Sequence, residues 1–237
     1  MRRDTFKVAT WNMGGGEERG GPTPDQADRV LTRLERMGCS VVLGQEAQEA
    51  NDREALRDLG YRVHRAQPET LVAWQPGLWT PVLLDEVVLN PTSPFFRKGG
   101  DKPIYVTAAR AILCSNWGQS VECLSYHTPS SVQPLAQAPE NREAALRESM
   151  DTMAELADDS LATAVLFGGD DNVDERHGSW PFMLEVETGL RQVVAPGNTL
   201  GRRRVDDFRV RDLVVMAGTV VEGPTHHNAH ARKMRFR

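Results

Sequence analysis

A chain of 237 residues with a formal charge of −5 at neutral pH is long enough for one core to bury most of its apolar surface, and it is not a protein coated in basic residues. No apolar run approaches the roughly 20 residues of a membrane helix. Met1-Arg2-Arg3-Asp4 leads straight into a strand-like stretch, so a signal peptide is not expected and a cytoplasmic setting is. Cys39, Cys114 and Cys123 are an odd number without metal-ligand spacing, which favours free thiols, with Cys114 and Cys123 placed to face each other across a hairpin. From Gly201 onward nine Lys/Arg stand against four Asp/Glu, leaving −10 on the remainder. Such a basic segment beside an acidic body can clamp a polyanion near one site, although each arginine taken singly reads more simply as a solvated strand residue or ion pair.

In chain order, Phe6 to Trp11 reads as a strand ending at Asn12 before a glycine-rich loop. Asp25 is placed to cap a helix running to about Met37, where Ala27, Val30, Leu31, Leu34 and Met37 recur at helical spacing and Gly38 stops it. Ser40 to Glu46 is a second buried strand, and the β-α-β connection predicts that it runs parallel to the first. A short helix over Asp52 to Leu59 precedes strand-like segments at Tyr61 to Arg65, Leu71 to Trp74 and Val82 to Leu89. Asn90 to Pro103 is rich in Pro and Gly and reads as a surface loop. Its Phe95-Phe96-Arg97-Lys98 can stack on and steer a nucleotide, or simply anchor the loop.

Tyr105 to Cys114 and Val121 to His127 flank Asn116-Trp117-Gly118-Gln119 as a hairpin. A long helix over Pro139 to Asp158 follows, and then the apolar run Ala164-Val165-Leu166-Phe167, which stops in Gly168-Gly169 and Asp170-Asp171-Asn172. The glycines are expected to let the backbone turn sharply and bring Asp170 and Asn172 into one site, the alternative being an ordinary Asp/Asn turn. A short helix over Ser179 to Glu187 and strands near Leu190 to Val194, Val205 to Val210, Leu213 to Met216 and Ala231 to Phe236 complete the chain.

Five apolar strands thus end in, or turn into, Asn12, Glu46, His127, Asp170/Asn172 and His226/His227, and in an α/β sandwich such ends gather in one crevice. With Ala9-Thr10-Trp11-Asn12, Gln45-Glu46, Tyr126-His127-Thr128-Pro129-Ser130, Gly169-Asp170-Asp171-Asn172, Arg204-Val205-Asp206 and Thr225-His226-His227 in that order, the chain resembles the endonuclease/exonuclease/phosphatase superfamily. The resemblance implies a single domain over residues 1–237 with the DNase I-like fold. That is an α/β four-layer sandwich, two mixed β-sheets packed face to face with helices on the outer faces.

It also implies metal-assisted hydrolysis of a phosphate ester. Glu46 would hold Mg²⁺ (or Mn²⁺), with Asn12 helping to bind the metal or the phosphate. Asp170 and Asn172 would orient or deprotonate the attacking water, His127 would donate a hydrogen bond to a non-bridging oxygen, and Arg110 would face the phosphate. Asp206 would fix the imidazole of His227, with His230, read as a surface strand residue, the other candidate. Relatives usually carry Asp where this chain has His226, an imidazole better suited to Mn²⁺ than to Mg²⁺. Asp171 adds a carboxylate where many relatives are apolar. The resulting reading is a metal-dependent nuclease, acting as a monomer on nucleic acid, DNA before RNA, without a membrane. The alternatives are a phosphomonoesterase for nucleotides or other small molecules, and a catalytically weakened or inactive homologue retained as a binding protein.

Overall fold

A computed structural model describes residues 4–14, 22–47, 50–66, 69–96, 102–128, 140–170, 172, 189–193, 197, 206–223 and 227–237, with the backbone alone for residues 50, 51, 140, 141 and 206. The helix expected over Ser179 to Glu187, and the residues Asp171 and His226, lie outside these described residues.

Helix α1 (Pro24–Arg36) connects β1 (Thr5–Asn12) to β2 (Val41–Gln45), and these two strands pair in parallel, as the β-α-β connection requires. Thr23, not Asp25, caps the helix: its side chain accepts from Gln26 N while the Gln26 side chain accepts from the Thr23 amide. Asp25 sits in the first turn instead, where its charge meets the positive end of the helix dipole. Helix α2 (Ala50–Asp58) then leads through β3 (Arg62–Ala66) to β4 (Thr70–Trp74), and the chain crosses over into β5 (Trp79–Val88). The expected surface loop contains a small hairpin of β6 (Phe95–Phe96) and β7 (Pro103–Ile104). Strands β8 (Thr107–Ser115) and β9 (Ser120–His127) form the expected hairpin, followed by α3 (Glu140–Asp158) and β10 (Ala164–Asp170). The remaining strands are β11 (Arg191–Val193), β12 (Asp206–Arg211), β13 (Leu213–Val221) and β14 (Ala229–Phe236).

Two six-stranded sheets result, in the orders β13-β14-β1-β2-β4-β3 and β11-β12-β10-β9-β8-β5. Both are mixed, because β1 pairs in parallel with β2 and β9 with β10 while the flanking pairs are antiparallel. Strand alternation sorts the side chains into layers. Phe6, Val8, Val41, Leu43, Val72, Cys123, Leu166 and Phe208 fill the space between the sheets. Ala9, Trp11 and Val42 turn outward onto Leu31 and Leu34 of α1 and Leu56 of α2. Leu124, Val165 and Phe167 turn outward onto Leu146, Met150 and Met153 of α3. The layering is therefore helices, sheet, sheet, helix, the four-layer α/β sandwich. Among the described residues no helix is long and apolar enough to cross a membrane.

Two local expectations fail for geometric reasons. The register sets Cys114 against Ser120 and Cys123 against Ala111, so the hairpin does not bring the two thiols together, and all three cysteines are free. Gly168 and Gly169 do not turn the chain; both lie inside β10, and neither has positive φ. Their missing side chains permit close approach. A Cβ on Gly168 would sit 2.7 Å from Leu43 Cδ1 of the opposite sheet, and one on Gly169 would sit 2.3 Å from the Tyr126 carbonyl oxygen.

Candidate functional site

The two parallel pairs deliver the C-terminal ends of β1, β2, β9 and β10 to one edge of the sandwich. Parity then decides what each strand presents there. Phe6 and Val8 face the opposite sheet, so Asn12 does as well; Leu166 faces inward, so Asp170 does; Val121 and Cys123 face inward, so His127 does. Glu46 would point outward by the same count, since Gln45 faces inward. Its left-handed backbone, φ 51°, breaks the alternation and brings the carboxylate back to the cleft.

Asn12 is fully buried, and its Nδ2 donates to Glu46 Oε1 at 2.8 Å and to Asp170 Oδ2 at 2.9 Å, joining the two sheets. Its amide oxygen accepts from Gly14 N at 2.9 Å. Asp170 is 1% exposed and also accepts at Oδ1 from Asn172 N at 2.7 Å. Asn172 is itself left-handed, φ 51°, and its Nδ2 donates to Thr128 O at 2.8 Å, tying the chain beyond β9 to the chain beyond β10. His227 Nε2 lies 3.9 Å from Asp170 Oδ2, so this histidine reaches the cluster.

His127 stands among three carboxylates. Its Nδ1 donates to Glu69 Oε2 at 3.1 Å, while Nε2 lies 3.6 Å from Glu46 Oε1 and 3.9 Å from Asp170 Oδ2. Burial works against charge on the ring, but the Glu69 hydrogen bond and the Asp170, Glu46 and Glu69 charges outweigh it, raising its pKa from 6.5 to about 9.

Glu69 is not among the residues expected from the sequence, because it precedes the start of β4 instead of ending a strand. That strand is antiparallel to β2, with Gly44 opposite Leu71, so its start lies at the same edge. A carboxylate just before a strand antiparallel to its neighbour was the available signal. Asp206 opens β12 opposite Asp170 for the same reason.

Arg110 is not brought to this cluster. It shares the outer face of β8 with Ala108, on the α3 side, and its Nε donates to Glu122 Oε1 at 2.7 Å. His230 is not a surface residue either: it is fully buried, its ring 4.9 Å from that of Phe208. Nor does the basic C-terminal strand clamp the site. Strand β14 runs antiparallel to β1, so Lys233 lies opposite Lys7 and Arg235 opposite Thr5, toward the other edge. Arg202, Arg203 and Arg204 lie outside the described residues.

No protein-family model matches the sequence, and no curated protein matches it. Solved structures do. An endonuclease/exonuclease/phosphatase family protein from Bacteroides thetaiotaomicron superposes with a TM-score of 0.75 at 16% identity, over 98% of each chain. The chain has the DNase I-like fold. A mannosyl-6-phosphatase of the same organism superposes at 0.74 with 16% identity, over 98% of this chain and all of the other, 100%. TDP2 from D. rerio, complexed with a single strand DNA product, superposes at 0.74 with 11% identity, over 98% and 99%.

The donor chemistry at this edge of the DNase I-like fold can be set against the needs of a divalent ion. Among the described residues no group of three or more His, Cys, Asp or Glu forms a cage. Glu46 nevertheless supplies a hard carboxylate that is 25% exposed, with its second oxygen unbonded among the described residues. One or two carboxylates with several retained waters are what Mg²⁺ ordinarily takes, so the residues fit a largely hydrated ion.

Proposed function

We propose that this protein is a phosphoesterase that hydrolyses phosphodiester bonds of nucleic acid with water, dependent on a divalent ion held at Glu46. The observation that carries the reading is the convergence of Asn12, Glu46, Glu69, His127 and Asp170 at one edge of the sandwich through direct contacts. A bound ion would supply charge neutralisation for the phosphoryl oxygens; the chain's own residues do the rest. Asp170, with its carboxylate fixed by Asn12 and the Asn172 amide, orients the attacking water and takes its proton. His127 is held by Glu69 at Nδ1, which turns its Nε2–H toward the Glu46 and Asp170 carboxylates, where it donates to a non-bridging oxygen as negative charge builds there. Asn172 acts by holding Thr128 to the Asp170 loop.

On the resemblance, Asp206 would fix the His227 imidazole and His226 would stand where relatives carry the metal-site Asp, so Mn²⁺ should serve at least as well as Mg²⁺. Arg110 is assigned a structural role instead of a phosphate contact, given its bond to Glu122.

The test is cleavage of single- and double-stranded DNA and of RNA by purified protein with Mg²⁺ or Mn²⁺, beside Asp170→Asn. Loss of about 10²–10⁴-fold is expected in the variant, a general-base contribution. Undiminished cleavage would remove Asp170 from the mechanism. A phosphomonoesterase is the second reading, favoured by the likeness to the mannosyl-6-phosphatase. It wins if sugar phosphates turn over and nucleic acid does not.

A further inference from the structure

One residue layer beneath the carboxylates, the contact between the two sheets ceases to be purely apolar. Gln45 of β2, Thr10 of β1 and Ser125 of β9 are all fully buried there. The Gln45 amide donates from Nε2 to Ser125 Oγ in the opposite sheet at 3.0 Å, and Thr10 Oγ1 and Leu43 O lie 3.2 and 3.1 Å away within its own sheet. The Gly168 carbonyl of β10 is 3.5 Å from the same nitrogen. Ser125 answers by donating to Gly44 O at 2.9 Å, so β2 and β9 are joined in both directions.

Each member of this layer adjoins a site residue in the chain. Thr10 is two residues before Asn12, Ser125 two before His127, Gly168 two before Asp170, and Gln45 immediately precedes Glu46. Apolar contacts such as Leu43 against Leu166 hold sheets together without fixing their offset, because hydrophobic attraction is non-directional. Hydrogen bonds fix an offset, because they weaken steeply with angle and distance. A buried primary amide is also costly wherever its partners are displaced.

We propose that Gln45 is a positioning residue that sets the offset and spacing of the two sheets at the catalytic edge, and thereby the meeting of Glu46 and Asn12 with His127 and Asp170. This rests on the phosphoesterase reading for its kinetic consequence but not for its structural one. Replacing both partners of a buried hydrogen bond by apolar groups of similar shape is nearly neutral for stability. The pair Gln45→Met with Ser125→Ala therefore separates holding the fold from placing the site.

In the double variant the melting temperature should fall only modestly, because Thr10 Oγ1 and the Gly44 carbonyl each lose one partner while the Gln45–Ser125 bond is removed from both sides. By contrast, kcat should fall about tenfold to a hundredfold with KM little changed, and the Mn²⁺ dissociation constant from calorimetry should rise about tenfold, as for other groups that orient ligands from behind. Ser125→Ala alone should show the same trends more weakly and guards against misfolding of the pair.

Unchanged kcat and unchanged Mn²⁺ affinity in a folded double variant overturn the proposal. If the parent cleaves no phosphoester at all, the functional reading fails first. The comparison of Mn²⁺ affinities then decides the positioning role, and equal or undetectable binding in parent and variant overturns that too.

Discussion

Asn12 and Asp170, 158 positions apart in sequence, are joined by a hydrogen bond of 2.9 Å that crosses from one sheet to the other. The same Asn12 nitrogen holds Glu46, so one neutral amide separates two carboxylates that would otherwise repel. This bridge is the most consequential contact in the cluster, and it is the first to test.

Asn12→Ala should destabilise the fold by about 2 to 3 kcal/mol, the scale of hydrogen bonds to charged groups, as read from urea unfolding. Asn12→Asp should do more harm, adding a third negative charge between the two. A variant as stable as the parent would show that the bridge carries no free energy.

Glu69→Gln should lower kcat by about 10²-fold, the lower end of an acid–base contribution, because the neutral amide can still accept from His127 Nδ1 but no longer supplies the charge that favours the protonated ring. In ion-free protein, NMR titration should find the His127 ring near 9 in the parent and lower in the variant. The sign follows from the raised pKa. Stability contributed by the charged ring is fully present below about 6.5 and is lost as pH rises through about 9. A titration midpoint near 6.5 in the parent would contradict the three-carboxylate environment.

Arg110→Ala should weaken the fold and leave KM alone. Glu122 is completely buried, and removing its partner strands a carboxylate beneath α3 at a cost of about 3 kcal/mol or more. A raised KM at unchanged stability would return Arg110 to the substrate.

Gly169→Ala should destabilise more than Gly168→Ala. The new methyl at Gly169 meets the backbone carbonyl of Tyr126, whereas at Gly168 it meets the movable ends of Leu43 and Phe208. Overpacking of the second kind costs about 1 to 3 kcal/mol. Thermal unfolding of the two single variants gives the order directly.

Adding Mn²⁺ or Mg²⁺ to the parent should raise the melting temperature through binding to the folded state, and Glu46→Gln should abolish most of that shift. Equal shifts in both proteins would place the ion elsewhere.

Much of this molecule was determined by the sequence alone. Apolar periodicity located nearly every element, and the strand ends at Asn12, Gln45-Glu46, His127 and Asp170 announced a shared edge, because a parallel crossover must put successive strand ends together. Tertiary structure alone decided what parity and pairing direction do to individual side chains. Glu69 became legible only once β4 was known to run antiparallel to β2, and Arg110 left the site only once its strand face was known. Gly168 and Gly169 read as a turn because glycine permits turns, yet in the folded protein they admit a neighbouring strand and a facing sheet. Composition and spacing along one chain carry periodicity, but the partner across a gap between two sheets is fixed only when both sheets exist. Asn12 shows this most plainly: an amide at a strand end in the sequence, and in the fold the contact through which both halves of the site meet.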